Sequence, residues 1–140
     1  MILKWVQAAI ETCGVETQEV FTTEANMLIE GVSNLYATPG ASPLWDRFEN
    51  DISRRRSDGE QLVEHLCPNS PILLFNDEGV WKGFKFASGA DLCCVLHESP
   101  GFEFYVTDGD LSYVVCYNHH EYIIGVGDAY DLVLKLTDNW

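Results

Sequence analysis

Residues 102–128 read FEFYVTDGDLSYVVCYNHHEYIIGVGD, and this stretch decides the fold. Phe102, Phe104 and Val106 alternate with Glu103, Tyr105 and Thr107, the period of a strand with one apolar face. Asp108-Gly109 is a tight-turn dipeptide. Leu111 to Asn118 forms the next strand and Tyr122 to Val126 another, before Gly125 and Gly127 break the pattern. Strands joined by short turns pair antiparallel. Phe102, Phe104 and Val106 are therefore expected in the core, with Glu103 and Tyr105 on the other face.

The rest of the chain extends this reading outward. Pro71 to Phe75 is an apolar run, and Val80 to Phe86 alternates. Asn76-Asp77-Glu78-Gly79 between them predicts a hairpin. Ser88 with Asp91 three residues on is a helix start, and Pro100-Gly101 closes that helix. Upstream, the spacing predicts helices. Ile2, Val6, Ala9, Ile10 and Cys13 form one stripe ending at Gly14; Leu28, Val32 and Leu35 form a second. Ser42-Pro43 opens a third, with Leu44, Trp45, Phe48 and Ile52 on one face and Arg54-Arg55-Arg56 at its C-terminal end. Ser57 and Glu60 form a capping-box pattern before Leu62, Val63 and Leu66. The expected fold is a single α+β domain over 1–140. Residues 1–70 are mostly helical. Residues 71–140 are mostly an antiparallel sheet of about five strands with one helix near 88–99, and the helices cover one face.

Composition bounds the function. The chain has 140 residues, is 46% hydrophobic, and carries 22 Asp+Glu against 8 Lys+Arg, a formal net charge of -14. That is enough apolar material for one core. A phosphate binder needs basic clusters, and Arg54-Arg55-Arg56 is the only one, so direct nucleic-acid binding and an anionic membrane surface are both excluded. Between Lys85 and Lys135 there is no Lys or Arg. That stretch holds Asp91, Glu98, Glu103, Asp108, Asp110, Glu121, Asp128 and Asp131, which face water or meet cations brought by a partner. No apolar run has transmembrane length, and no secretory leader pattern is present. Five cysteines, an odd number without Cys-x-x-Cys, are expected to be reduced thiols in a cytoplasmic protein.

The densest polar cluster is Asn118-His119-His120-Glu121, a possible pocket. Neighbouring strand residues point to opposite faces, so His119 and His120 reach a common ion only if a turn intervenes. No zinc-type spacing accompanies them, and Cys116 with His120 lacks a third ligand. There is no Gly-x-Ser-x-Gly elbow. Cys93 and Cys94 lie too far into their helix for activation by its dipole, although His97 follows one turn later. No metal and no cofactor are expected, and the chain is read as a non-enzyme.

Phe102, Glu103, Tyr105, Asn118, His119, His120, Gly125 and Gly127 together give a pattern: an aromatic strand, a strand ending in Asn-His-His, and an apolar strand ending in Gly-x-Gly. In this pattern the chain resembles a family of small bacterial proteins without an assigned function. Trp81 and the helix from Ser88 fit the same pattern, over about residues 71–128. Family members often carry Trp-Leu-Ile-Cys-Glu before the Asn; here Tyr113-Val-Val-Cys116-Tyr117 puts an aromatic in place of the acid. The resemblance implies a bacterial cytosolic α+β domain and no established activity.

The charge pattern points to an inhibitor or immunity-type protein that binds a basic protein, such as a toxin domain or a nucleic-acid-binding effector. The expected contact residues are Glu103, Asp108, Asp110, Glu121, Asp128 and Asp131, with Trp81, Tyr105, Tyr113 and Tyr117 as aromatic anchors. The alternatives are a small-molecule or metal site at Asn118-His119-His120, and a phage-encoded mimic of nucleic acid.

Overall fold

A computed structural model describes residues 1–138. The chain is α+β, with α1 (Ile2–Cys13), β1 (Thr17–Val20), α2 (Thr22–Tyr36), a 3-10 turn at Leu44–Arg47, β2 (Ile52–Arg55) and α3 (Gly59–Leu66) in its first half. There follow β3 (Ile72–Asp77), β4 (Val80–Phe86), α4 (Gly89–Glu98), β5 (Phe104–Thr107), β6 (Tyr113–Tyr117), β7 (Tyr122–Gly127) and α5 (Ala129–Thr137). The strands form one 7-stranded sheet, ordered β1-β4-β3-β5-β6-β7-β2. Every neighbouring pair is antiparallel.

The expectation of about five strands confined to the C-terminal half is corrected. The first half supplies both edges of the sheet, β1 beside β4 and β2 beside β7. The expected third helix, from Ser42 to Arg56, is the largest departure. It stops after one 3-10 turn; Phe48 is already extended and Asn50 is left-handed at φ 56. Its apolar stripe was real, but the residues find partners far away in sequence. Ile52 lies opposite Gly125 and Arg55 opposite Tyr122. Long-range pairing overrides local helix propensity here. The capping box at Ser57 does not form either: α3 starts at Gly59 after Asp58, without a side-chain cap.

Helices cover both faces, not one. Val6 and Ala9 of α1, Val63 of α3, Leu92 of α4 and Val133 of α5 pack with Leu73, Phe75, Phe104, Val106, Val115 and Ile123 on one side. Ala25 and Val32 of α2, with Leu44 from the 3-10 turn, pack with Leu74, Tyr105, Val114, Cys116 and Ile124 on the other. β5 therefore has no exposed face: all four of its residues are buried. Phe104 is in the core as its alternation requires, with Phe102 half-buried beside it.

Two local devices position these layers. Ser88 caps α4, its hydroxyl accepting the Asp91 N–H at 3.2 Å. Asp77 caps α1 from the end of β3. Its carboxylate accepts the Met1 amino group at 3.1 Å and the Ile2 and Leu3 N–H groups at 3.1 and 3.2 Å. Burial works to raise the Asp77 carboxyl, but the Leu3 and Ile2 N–H groups and the amino terminus outweigh it and hold it below 3.8. A carboxylate with a depressed folded pKa contributes stability that is complete above its unfolded pKa and lost as pH falls through the folded value. Asp77→Asn is thus expected to be less stable by about 1–3 kcal/mol at neutral pH. The gap to the native chain should close as pH falls through and below the ordinary carboxylate range in paired thermal melts.

The Gly-x-Gly motif is architectural. A Cβ at Gly125 would lie 2.9 Å from the Ala129 carbonyl oxygen and 2.7 Å from Cγ2 of Val133, so the glycine lets α5 lie against β7. Gly127 has φ +63, where a side chain is strained. Gly125→Ala should cost about 1–3 kcal/mol by overpacking. A denaturant melt indistinguishable from the native one would show that α5 can slide.

The thiol expectation is also corrected. Cys13 at the end of α1 and Cys94 in α4 form a disulfide, with Cα atoms 6.3 Å apart and a sequence separation of 81. Cys67, Cys93 and Cys116 are free.

Candidate partner-binding site

The β6–β7 connection is built by Asn118. Its side chain is 4% exposed, and Oδ1 accepts the His120 and Tyr122 N–H groups, both at 3.0 Å. Its carbonyl accepts the Glu121 N–H at 3.1 Å, and Glu121 takes a left-handed φ of 65. The connection is thus a tight turn in which an Asn side chain supplies bonds the ladder cannot. This brings His119 and His120 to one side, where a strand would have separated them. Their ring centroids are 3.9 Å apart, and both meet the edge of Trp45 at 6.1 and 5.8 Å. His119 Nδ1 lies 3.0 Å from the Glu103 carboxylate, and the His119 N–H donates to the same oxygen at 3.3 Å. Among the described residues, no group of three or more His, Cys, Asp or Glu is arranged to hold a metal ion.

Trp45 joins the two halves of the site. Its backbone N–H donates to the Tyr105 hydroxyl at 3.0 Å, which anchors the 3-10 turn over the sheet. Beside it, Trp45, Asp46, Phe48, Asp51, Tyr122 and His120 border a cavity of about 310 Å³, with Asn118, Ser53 and Ile124 completing the wall. On the other side of the turn, Glu103, Glu121, Asn118 and His119 border a second recess of about 340 Å³. Sequence reading missed Trp45, Phe48, Asp46 and Asp51 as site residues, because it placed them on a helix. The signal that locates them, β2 paired with β7, is non-local.

The six carboxylates expected to meet a partner lie at two ends of the sheet. Glu103 precedes β5 and Glu121 lies in the β6–β7 turn, at one end. Asp108 and Asp110 follow β5, and Asp128 follows β7, at the other; the Asp128 N–H donates to the Ser112 carbonyl at 3.0 Å. Asp131 begins α5 at that same end. A strand of four residues separates the groups by on the order of 13 Å. Asp110, Glu121, Asp128 and Asp131 are exposed; Glu103 and Asp108 are half-buried.

Asp108 is a turn-holding residue. Its carboxylate accepts the Asp110 and Ser112 N–H groups at 3.1 and 2.9 Å, and the Ser112 hydroxyl donates to it in a short bond. Asp108→Ala is expected to cost about 1–3 kcal/mol, whereas Asp110→Asn should stay within about 0.5 kcal/mol of native in a thermal melt. Tyr36 lies near this end and donates to the Leu111 carbonyl at 2.5 Å. Burial, then Asp128 and Asp108, raise its hydroxyl pKa.

Two of the expected aromatic anchors are in the core instead. Tyr105 is 3% exposed and Tyr117 7%. Tyr105 faces the side closed by α2 and the 3-10 turn, whereas Tyr117 lies opposite Phe104 and faces the side packed by α1, α3, α4 and α5. Burial raises the Tyr105 hydroxyl far above its ordinary value. Tyr117 donates to the Arg56 carbonyl at 2.7 Å. Tyr113 is half-buried, its hydroxyl reaching the Thr107 carbonyl at 3.4 Å. Trp81 is half-buried with its edge against Tyr105, ring centroids 5.7 Å apart.

A recess of about 510 Å³ lies between α3 and α4 and is bordered by Glu60, Glu64, Cys93 and His97. Burial, and then Glu64 and Glu60, raise the Cys93 thiol. Burial raises the Glu60 carboxyl, with His97 opposing it. A thiol raised by burial and by neighbouring carboxylates is the reverse of an activated nucleophile.

No family model, curated protein or solved structure matches the chain.

Proposed function

We propose that this protein binds and neutralises a basic protein, as an inhibitor or immunity protein does. The observation that carries the reading is electrostatic. Among the described residues, none of the eight carboxylates between Lys85 and Lys135 pairs with a Lys or Arg. Five of them are exposed: Glu98, Asp110, Glu121, Asp128 and Asp131. A negative field that the chain leaves uncompensated speeds encounter with a positive partner and rejects negative ones. A toxin or effector that grips phosphates is such a partner.

The test is association kinetics. The protein is used as bait at low salt, the captured partner is identified, and the on-rate is measured as salt rises. The on-rate should fall with salt, and Asp110→Asn with Glu121→Gln should lower it mainly at low salt. An on-rate independent of salt, or a partner without a basic surface, removes the proposal.

A further inference from the structure

The cavity beside Trp45 has a composition that the charge argument alone does not explain. Its rings come from three separate segments of the fold. Trp45 and Phe48 arrive from the 3-10 turn, Tyr122 from the start of β7 and His120 from the β6–β7 turn. Two carboxylates, Asp46 and Asp51, stand among them. Among the described residues neither carboxylate is in an ion pair. Arg47, next to Asp46 in the chain, turns its guanidinium to the Ser42 and Thr38 carbonyls, and Arg55, opposite Tyr122, borders the neighbouring recess with His119 and Glu121 and not this one.

Asn118 and Trp45 also line the wall. Asn118 is buried, and its Oδ1 is used by the turn. The indole N–H of Trp45 is buried without a hydrogen-bond partner. An orphaned buried donor carries a cost that an incoming acceptor removes.

We infer that this cavity is the seat of an arginine residue of the basic partner. Aromatic faces and carboxylates together suit a planar guanidinium, which stacks and pairs at once, better than they suit an ammonium. About 310 Å³ is ample for one such side chain. The surrounding charge agrees, since Glu103 and Glu121 lie on the other side of the same turn. The inference names the anchor of the partner proposed above and rests on that reading for its biological sense. The cavity itself is tested without any partner.

The probe is N-acetyl-arginine amide, titrated into nitrogen-15-labelled protein. The reporter is the Trp45 indole N–H resonance, assigned by its loss in Trp45→Phe. A saturable shift is expected, with weaker binding of the lysine analogue and none of the uncharged citrulline analogue. Asp46→Asn with Asp51→Asn should weaken arginine-amide binding about tenfold. Neither side chain makes a hydrogen bond among the described residues, so the fold is expected to survive. An unsaturable shift, or equal shifts with citrulline, overturns the inference. Failure of the two proposals is distinguishable. If arginine amide binds but no basic protein does, the neutralisation proposal falls and the cavity stands as an arginine site. If a basic protein binds and neither excess arginine amide nor the double variant weakens it, the anchor falls and neutralisation stands.

Discussion

Reduction of the Cys13–Cys94 disulfide is expected to lower stability by about 4–5 kcal/mol, the larger of two predicted losses. The bond closes a loop spanning 81 residues and ties the end of α1 to α4, and the entropy that such a loop removes from the unfolded chain grows with its length. For a chain of this size that corresponds to roughly 10–20 °C in Tm. The measurement is a pair of thermal melts, with and without a phosphine reductant, alongside Cys13→Ser with Cys94→Ser. The reduced native chain and the double variant should melt together. Equal melting with and without reductant would falsify the bond as a contributor to stability. Cys67 offers no rearranged alternative: burial pushes its thiol up to about 12, so it is almost wholly protonated at neutral pH. The sequence argument for a cytoplasmic location used five reduced thiols, and this bond withdraws that part of its support.

Tyr117→Ala is expected to cost about 3–5 kcal/mol, a large share of a typical domain's total stability of about 5–15 kcal/mol. The ring packs against Phe104 with centroids 6.1 Å apart and fills the space over Gly59, while its hydroxyl ties β6 to the Arg56 carbonyl before α3. Truncation removes the ring and the tie together. Tyr117→Phe removes only the tie and should cost about 1 kcal/mol. Denaturant titration of both variants gives the comparison. The consequence for function is specific. Tyr117→Phe should bind a basic partner at the native rate, because the residue is inside the protein. Loss of binding in a folded Tyr117→Phe would return Tyr117 to the contact surface.

Local signals were read correctly wherever a turn or cap decides the outcome within a few residues. Gly14 stops α1 in a left-handed conformation, and Ser88 caps α4 as its spacing implied. Glu78-Gly79, both at positive φ, turns the β3–β4 hairpin. Phe104 and Val106 face the core on the period of two. The failures share one cause. Leu44, Trp45, Phe48 and Ile52 repeat at helical spacing, but the helix ends at Phe48 and Ile52 to Arg55 run as β2, because β7 offers an unpaired edge far along the sequence. Tyr117 lies opposite Phe104 on the core face, a register that only strand pairing reveals, and alternation puts Tyr105 on a wet face. The sheet has none at β5 and β6, because α2 and the 3-10 turn close the second side.

The same division holds for the candidate site. The sequence by itself determined the acidic, cation-free stretch from 86 to 134 and the Asn-His-His turn, since charge and turn chemistry are local properties. Tertiary structure alone decided that four of the six carboxylates gather at the end of the sheet away from the histidines. It alone decided that Trp45, Phe48, Asp46 and Asp51 meet His120 and Tyr122 around one cavity, and that Cys13 reaches Cys94. These are contacts between segments dozens of residues apart. They follow from which strand pairs with which edge, a choice made by burying both faces of the sheet at once and carried by no short stretch of residues.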